Sequence, residues 1–140
     1  MDNFVECIRL EVTEDQQGFV AKNVLSLAEA KADGVSQPFA IYADAQMVGF
    51  VMYDYEPKEH RGYITRLMID QRFQGNGYGQ EAMRQVIGRL RAIPACQELQ
   101  TGYMPGNDAA RHVYESFGFE KAAVDDDGEI ILRMQVRPST

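Results

Sequence analysis

The chain of 140 residues has no tryptophan, only two cysteines, and fewer basic than acidic side chains: 14 Lys and Arg against 21 Asp and Glu. Each shortage excludes something. A formal net charge of -7 leaves no basic footprint of the kind that holds nucleic acid. The acidic balance mainly serves solubility, and otherwise suits a cationic partner. Cys7 and Cys96 stand in apolar contexts with no CxxC spacing and no histidine beside them, which argues for buried free thiols rather than a metal site. No run approaches the roughly 18 apolar residues of a membrane span. The opening MDNFVECIRL lacks the basic and apolar regions of a leader, so a cytoplasmic location is the expectation.

What is present is ordinary for a globular protein: 45% hydrophobic and 25% charged residues. The length suits a single domain over residues 1–140 that buries most of its chain. Residues 4–12 (FVECIRLEV) alternate and read as a strand. A helix start follows at Thr13, with Gln16 at the capping-box position. Residues 14–33 carry apolar side chains at helical spacings, with a possible break at Gly18 and a stop at Asp33-Gly34. Residues 38–43 and 47–55 read as strands joined through Asp44, Ala45 and Gln46. Residues 62–70 form another strand, and a long amphipathic helix runs from Gly79 to Pro94. A strand is expected at 98–103, then a helix capped by Asn107 and closed by Gly118. A final hairpin, 119–124 with 129–136, turns at residues 125–128. The order is β-α-α-β-β-β-α-β-α-β-β, an α/β domain without internal repeats.

The most informative segment follows the strand at 62–70: Gln74-Gly75-Asn76-Gly77-Tyr78-Gly79, entering the long helix. Alternate glycines remove Cβ atoms where backbone approaches a ligand and tolerate positive φ, so successive N–H groups can converge on an anion. The helix start adds unpaired N–H groups and the positive end of its dipole, a combination suited to a pyrophosphate. Arg72 is placed to add a charge-assisted contact. The Rossmann GxGxxG pattern fails at Gln80, and no Gly-Lys pair exists for a P-loop. Asp54 and Glu56 lie on one face of their strand, opposite Tyr53 and Tyr55. His60 and His112 have no partner in sequence and carry no role.

Residues 74–79 match the Gln/Arg-x-x-Gly-x-Gly/Ala signature of the GNAT family of N-acetyltransferases, between a strand and a helix as in that family. A second element is Asn107, seven residues before Tyr114, on the helix ending Phe117-Gly118-Phe119. Together they cover roughly residues 62–120, and the chain resembles most the bacterial spermine and spermidine acetyltransferases of the family. The resemblance implies a GNAT fold: an α/β domain with a mixed, mostly antiparallel sheet of about seven strands, flanked by about four helices, with a V-shaped splay after the fourth strand. It implies acetyl-CoA as co-substrate. Its pantetheine arm would be held by the backbone of Leu67, Met68 and Ile69, its pyrophosphate by the amides of Gln74, Gly75, Asn76, Gly77, Tyr78 and Gly79. Asn107, Asp108, Ala109 and Ala110 would contact the arm, with Tyr114 near the sulfur.

The reaction so implied is attack of an amine on the thioester in a ternary complex. Alkylammonium groups titrate near the lysine value of about 10.4, so the acceptor must first lose a proton. A bulge N–H, taken at Met68, would stabilise the oxyanion. Tyr114, with an ordinary pKa near 10, is the expected general acid for the departing thiolate. Related polyamine enzymes carry a glutamate where this chain has Thr65, which cannot act as that base. Asp54 and Glu56 are the expected substitutes, as base or as amine-binding groups, with Asp126, Asp127 and Glu129 after them. The expected acceptor is a polycationic amine such as spermidine or spermine. A protein, amino-acid or drug amine, or a CoA-binding sensor domain without catalysis, is the alternative. The resemblance also allows a homodimer.

Overall fold

The computed structural model describes residues 3–13, 23–33 and 37–137. Its elements are α1 (Phe4–Arg9), α2 (Asn23–Asp33), β1 (Gln37–Ala43), β2 (Gln46–Glu56), β3 (Arg61–Ile69), α3 (Tyr78–Arg91), β4 (Glu98–Tyr103), α4 (Asp108–Ser116), β5 (Glu120–Val124) and β6 (Ile130–Gln135). The six strands form one sheet in the order β1-β2-β3-β4-β6-β5. All pairs are antiparallel except β3 with β4, whose parallel pairing follows from the crossover through α3.

One expectation is corrected at the start of the chain. Residues 4–9 are helical, so the sheet has six strands among the described residues rather than seven. The buried side chains there are Cys7 and Leu10, three apart, while Val5 and Ile8 are exposed. That is the helical spacing, and in so short a run it competes with an apparent alternation. The expected helix start at Thr13, the cap at Gln16 and the break at Gly18 bear on residues 14–22, which lie outside the described residues.

The sheet is covered on both faces. On one, α3 buries Ala82, Met83, Val86, Ile87 and Leu90, a stripe at helical spacing, against Val51, Ile64 and Leu99. Each large side chain of that stripe stabilises the fold by about 1.5–3 kcal/mol. On the other face Phe50, Met52 and Met68 meet Cys7 and Leu10 of the N-terminal segment. Strand β2 is therefore apolar on both sides at its centre, as a central strand must be. Both cysteines are free and buried, and burial pushes the Cys7 thiol up to about 11, a hydrogen bond from Asn23 opposing the rise.

Two features shape the region beyond β3. First, β3 and β4 pair only over Arg61↔Glu98, Gly62↔Leu99 and Tyr63↔Gln100, yet β3 runs on to Ile69 and β4 to Tyr103. The strands part, giving the V-shaped opening the resemblance implied. The closed end is clamped by Arg61, whose Nε donates to Glu98 Oε1 at 2.6 Å, while Glu98 Oε2 accepts from Gln135 at 2.7 Å. Second, the β2–β3 register passes from Met52↔Arg66 to Tyr53↔Ile64, so Thr65 is an extra residue on β3. It is a β-bulge, and the Thr65 hydroxyl donates to the Met52 carbonyl at 3.1 Å.

Candidate active site

The segment after β3 is fixed by Asp70. Its buried carboxylate accepts from the Glu11 N–H at 2.9 Å, the Arg72 N–H at 3.0 Å and Arg72 Nε at 2.8 Å. Burial raises the Asp70 pKa, but the Arg72 side chain and the two backbone donors outweigh it, and the net direction is down. Arg72 is thereby a brace for the loop, with its guanidinium also over the Phe73 ring at 5.0 Å; it is not among the residues that line the cavity beyond. The Gln74 amide donates to the Ile69 carbonyl at 2.9 Å and ties the loop back to the strand.

Gly77 has φ +80° and caps α3; Gly75 has φ +84°. A Cβ built on either meets no protein atom within 4 Å, so the glycines are not needed to clear the protein itself. They serve backbone conformation and the open space beside them. That space is a cavity of about 420 Å³ in the opening of the sheet, lined by Leu67, Met68, Ile69, Gln74, Gly75, Gly77, Tyr78, Gly79, Asn107, Ala109, Ala110 and Tyr114 among others. Two expected residues stand apart from it. Asn76 turns its amide to the Phe73 carbonyl at 3.0 Å, and Asp108 pairs with Arg111.

The expected bulge amide at Met68 needs correction. The Asp70 N–H donates to Val48 O at 2.8 Å, and the register from there through Gly49↔Ile69, Phe50↔Met68 and Val51↔Leu67 is regular. In an antiparallel ladder the bonded pairs alternate, so the Met68 amide faces β2. The amides of Leu67 and Ile69 face the opening. The bulge itself is at Thr65, two residues earlier than Leu67.

A second cavity, of about 230 Å³, is lined by Thr65, Arg66, Leu67, Gly102, Tyr103, Met104, Asn107, Ala110, Tyr114 and Glu129. It shares Leu67, Asn107, Ala110 and Tyr114 with the first. The two spaces therefore meet along Leu67, Asn107, Ala110 and Tyr114. Asn107 caps α4, its side chain accepting from the Ala110 N–H at 3.4 Å, while also lining both spaces. Tyr114 is 5% exposed and packs edge-on to Phe119. Desolvation raises its pKa, a hydrogen bond with Thr101 opposes the rise, and the Glu129 charge adds to it. The phenol stays protonated at neutral pH and can donate.

The other expected acids lie elsewhere. Asp54 and Glu56 pair with Tyr63 and Arg61 at the closed end of the opening, line neither cavity, and Glu56 accepts from the Lys58 N–H at 2.9 Å in the following turn. Tyr53 and Tyr55 do pack on the α3 face. Asp126 and Asp127 are exposed in the last turn. Glu129 is the one acid of that group lining the smaller cavity. Arg66 and Gly102 were missed. The signal for the second was available, because a glycine inside a strand marks a close approach.

Among the described residues, then, a six-stranded sheet parts beside a glycine loop, and a protonated phenol stands near the parting. The chain belongs to the acetyltransferase (GNAT) family, whose model matches residues 4–119. It is an N-acetyltransferase, with acetyl-CoA as co-substrate. It is 28% identical over 138 residues to the spermine/spermidine N(1)-acetyltransferase of Bacillus subtilis, covering 94% of this chain and 91% of that one. Its fold is similar to that of the PaiA N-acetyltransferase of Thermoplasma acidophilum in complex with coenzyme A, with a TM-score of 0.64 and 13% identity over 81% of this chain and 69% of that one. An aminoglycoside acetyltransferase in complex with coenzyme A shares the fold too, at a TM-score of 0.67 and 19% identity over 77% and 70% of the two chains.

Proposed function

We propose that this enzyme acetylates a primary amine of a small polycation such as spermidine or spermine, by direct attack in a ternary complex. The observation that carries the reading is the meeting of two cavities at Leu67 and Tyr114. The larger one has the glycine loop and suits the co-substrate; the smaller one is then left for the acceptor. Similarity to the Bacillus spermine/spermidine enzyme over nearly the whole chain supports the polyamine, as does a net charge of -7 toward a cationic substrate.

The geometry supports a role for each group. The backbone of Leu67 and Ile69, which faces the opening, binds the pantetheine arm as an added strand. Amides around Gly75, Gly77 and Gly79 and the start of α3 receive the pyrophosphate. The Leu67 N–H, at the junction of the two cavities, takes the oxyanion role first expected of Met68. Tyr114 donates its proton to the departing sulfur.

The test is thiol release from acetyl-CoA with spermidine, spermine, lysine, a peptide with a free N-terminus and an aminoglycoside, each product identified by mass. The proposal expects the polyamines to give the highest kcat/KM. A higher value for the peptide, lysine or aminoglycoside would reassign the acceptor.

A further inference from the structure

We propose that Glu129 receives the ammonium group of the acceptor and accepts its first proton, a role that rests on the amine-acetyltransferase reading above. Nothing on β3 can do this. The bulge residue there is Thr65, whose hydroxyl is turned to the Met52 carbonyl, and Asp54 and Glu56 lie at the closed end of the sheet opening.

Glu129 is held in place by its turn. Asp125 Oδ1 accepts from the N–H groups of Asp127 and Glu129, at 2.9 Å each, and the Glu129 carbonyl accepts from Asp125 N–H at 3.0 Å. The next residue, Ile130, begins β6 opposite Tyr103. The carboxylate then crosses Gly102 on β4. A Cβ on that glycine would stand 2.5 Å from Glu129 Oε1, so the absence of a side chain at Gly102 is what admits the carboxylate. From there Glu129 lines the smaller cavity with Thr65, Arg66, Leu67 and Tyr114, and its charge reaches the Tyr114 phenol.

The charged and titratable groups around Glu129 are Arg66 from β3, Tyr103 from β4, Tyr114 from α4, and Asp125 and Asp127 from its own turn. Burial raises its pKa first; Asp125 and Asp127 add to the rise and Arg66 opposes it. A carboxylate moved toward neutrality is the stronger base.

The proton count closes. The ammonium N–H bond breaks and that proton passes to the Glu129 carboxylate, leaving a free electron pair on nitrogen. As the nitrogen–carbon bond to the acetyl carbonyl forms and the carbon–sulfur bond breaks, Tyr114 protonates the leaving thiolate. The nitrogen sheds its second proton, which restores the phenol, and Glu129 releases the first to solvent. The products are the amide, coenzyme A thiol and one proton.

The experiment measures kcat/KM for spermidine from pH 6 to 10 for the wild type, Glu129→Gln and Arg66→Gln, with acetyl-CoA affinity measured in parallel. Glu129→Gln is expected to lose about 100-fold at neutral pH, within the usual range for a proton-transfer group. The loss should shrink toward pH 10, where solvent deprotonates a growing share of the amine near its pKa of about 10.4, and acetyl-CoA affinity should hold. Arg66→Gln, which removes a charge that lowers the Glu129 pKa, should move the acid limb to higher pH. A loss in Glu129→Gln that is the same at every pH, or no loss, overturns the role of Glu129 while leaving the acetyltransferase reading intact. If Glu129→Gln does not fold, an unmoved acid limb in Arg66→Gln overturns it instead. A wild type that turns over none of the amines overturns the reading beneath it.

Discussion

The Thr101 hydroxyl donates to the Ile64 carbonyl at 3.0 Å, and these two residues stand where β3 and β4 part. The last backbone pair is Tyr63↔Gln100, so a side chain continues the junction by one residue after the ladder ends. Thr101 is buried and also contacts the phenol of Tyr114. One hydroxyl thus sets the apex of the opening and touches the expected acid.

Thr101→Val, nearly isosteric, removes that link. The Ile64 carbonyl loses its partner, and the expected cost is about 1–3 kcal/mol in chemical denaturation. Turnover should fall more than acetyl-CoA affinity, because Tyr114 loses its contact while the glycine loop is untouched. Unchanged stability together with unchanged kcat would remove this junction from the account.

Two glycine substitutions separate the loop from the helix it starts. Gly77→Val places a branched side chain at φ +80°, at a backbone cost of about 1–2 kcal/mol, and projects it into space free of protein atoms. Acetyl-CoA affinity should drop at least tenfold by calorimetry. Gly88, on the same helix, has open space around it, so Gly88→Ala should stabilise α3 by about 0.5–1 kcal/mol without changing that affinity. Equal affinities in all three proteins would remove residues 74–79 from the binding site.

Tyr114→Phe keeps the buried ring beside Phe119 and deletes the hydroxyl proposed as the proton donor. The prediction is a fall in kcat of about 100-fold or more at unchanged acetyl-CoA affinity. The acid must be protonated to act, so wild-type kcat is lost only as pH rises through the Tyr114 pKa. With that pKa raised by burial, the loss belongs above the ordinary tyrosine value of about 10. A wild-type kcat that falls on an alkaline limb near pH 8 would contradict the assignment.

Asp70 gives the fold a pH dependence with a definite sign. Its folded pKa is depressed, so its stabilisation is present above the unfolded value of about 3.9 and is lost as pH falls through the lower folded value. Asp70→Asn should cost about 1.5–3 kcal/mol at neutral pH, the range for hydrogen bonds to a charged group. The gap to wild type should close below about pH 4. Urea titrations at pH 7 and pH 3 measure both; a gap that widens in acid would reverse the sign.

What the sequence made legible was local. The glycine loop, the Asn107 cap and the long amphipathic helix depend on neighbours in the chain, and they stand where the spacing put them. The hairpin at Asp44 needed only a small revision, with Gln46 joining β2 and Asp44 taking φ +53°. Residues 4–9 misled because a short apolar run satisfies two periods at once, and only the burial of Cys7 and Leu10 distinguishes them. The Met68 assignment failed for a different reason. Which amides face the opening is set by a one-residue bulge at Thr65 and the pairing with β2, and neither leaves a mark in the sequence of β3. Glu129 lies 60 residues past the end of that strand; its place beside the smaller cavity depends on the closing hairpin and on Gly102.

The central claim is that an amine in the smaller cavity attacks an acetyl group held in the larger one, beside Leu67 and Tyr114. The most direct test is initial velocity with spermidine and acetyl-CoA varied together, the product identified by mass. N-acetylspermidine formed with intersecting double-reciprocal lines is the predicted result. Parallel lines, or no acetylated spermidine, would contradict it.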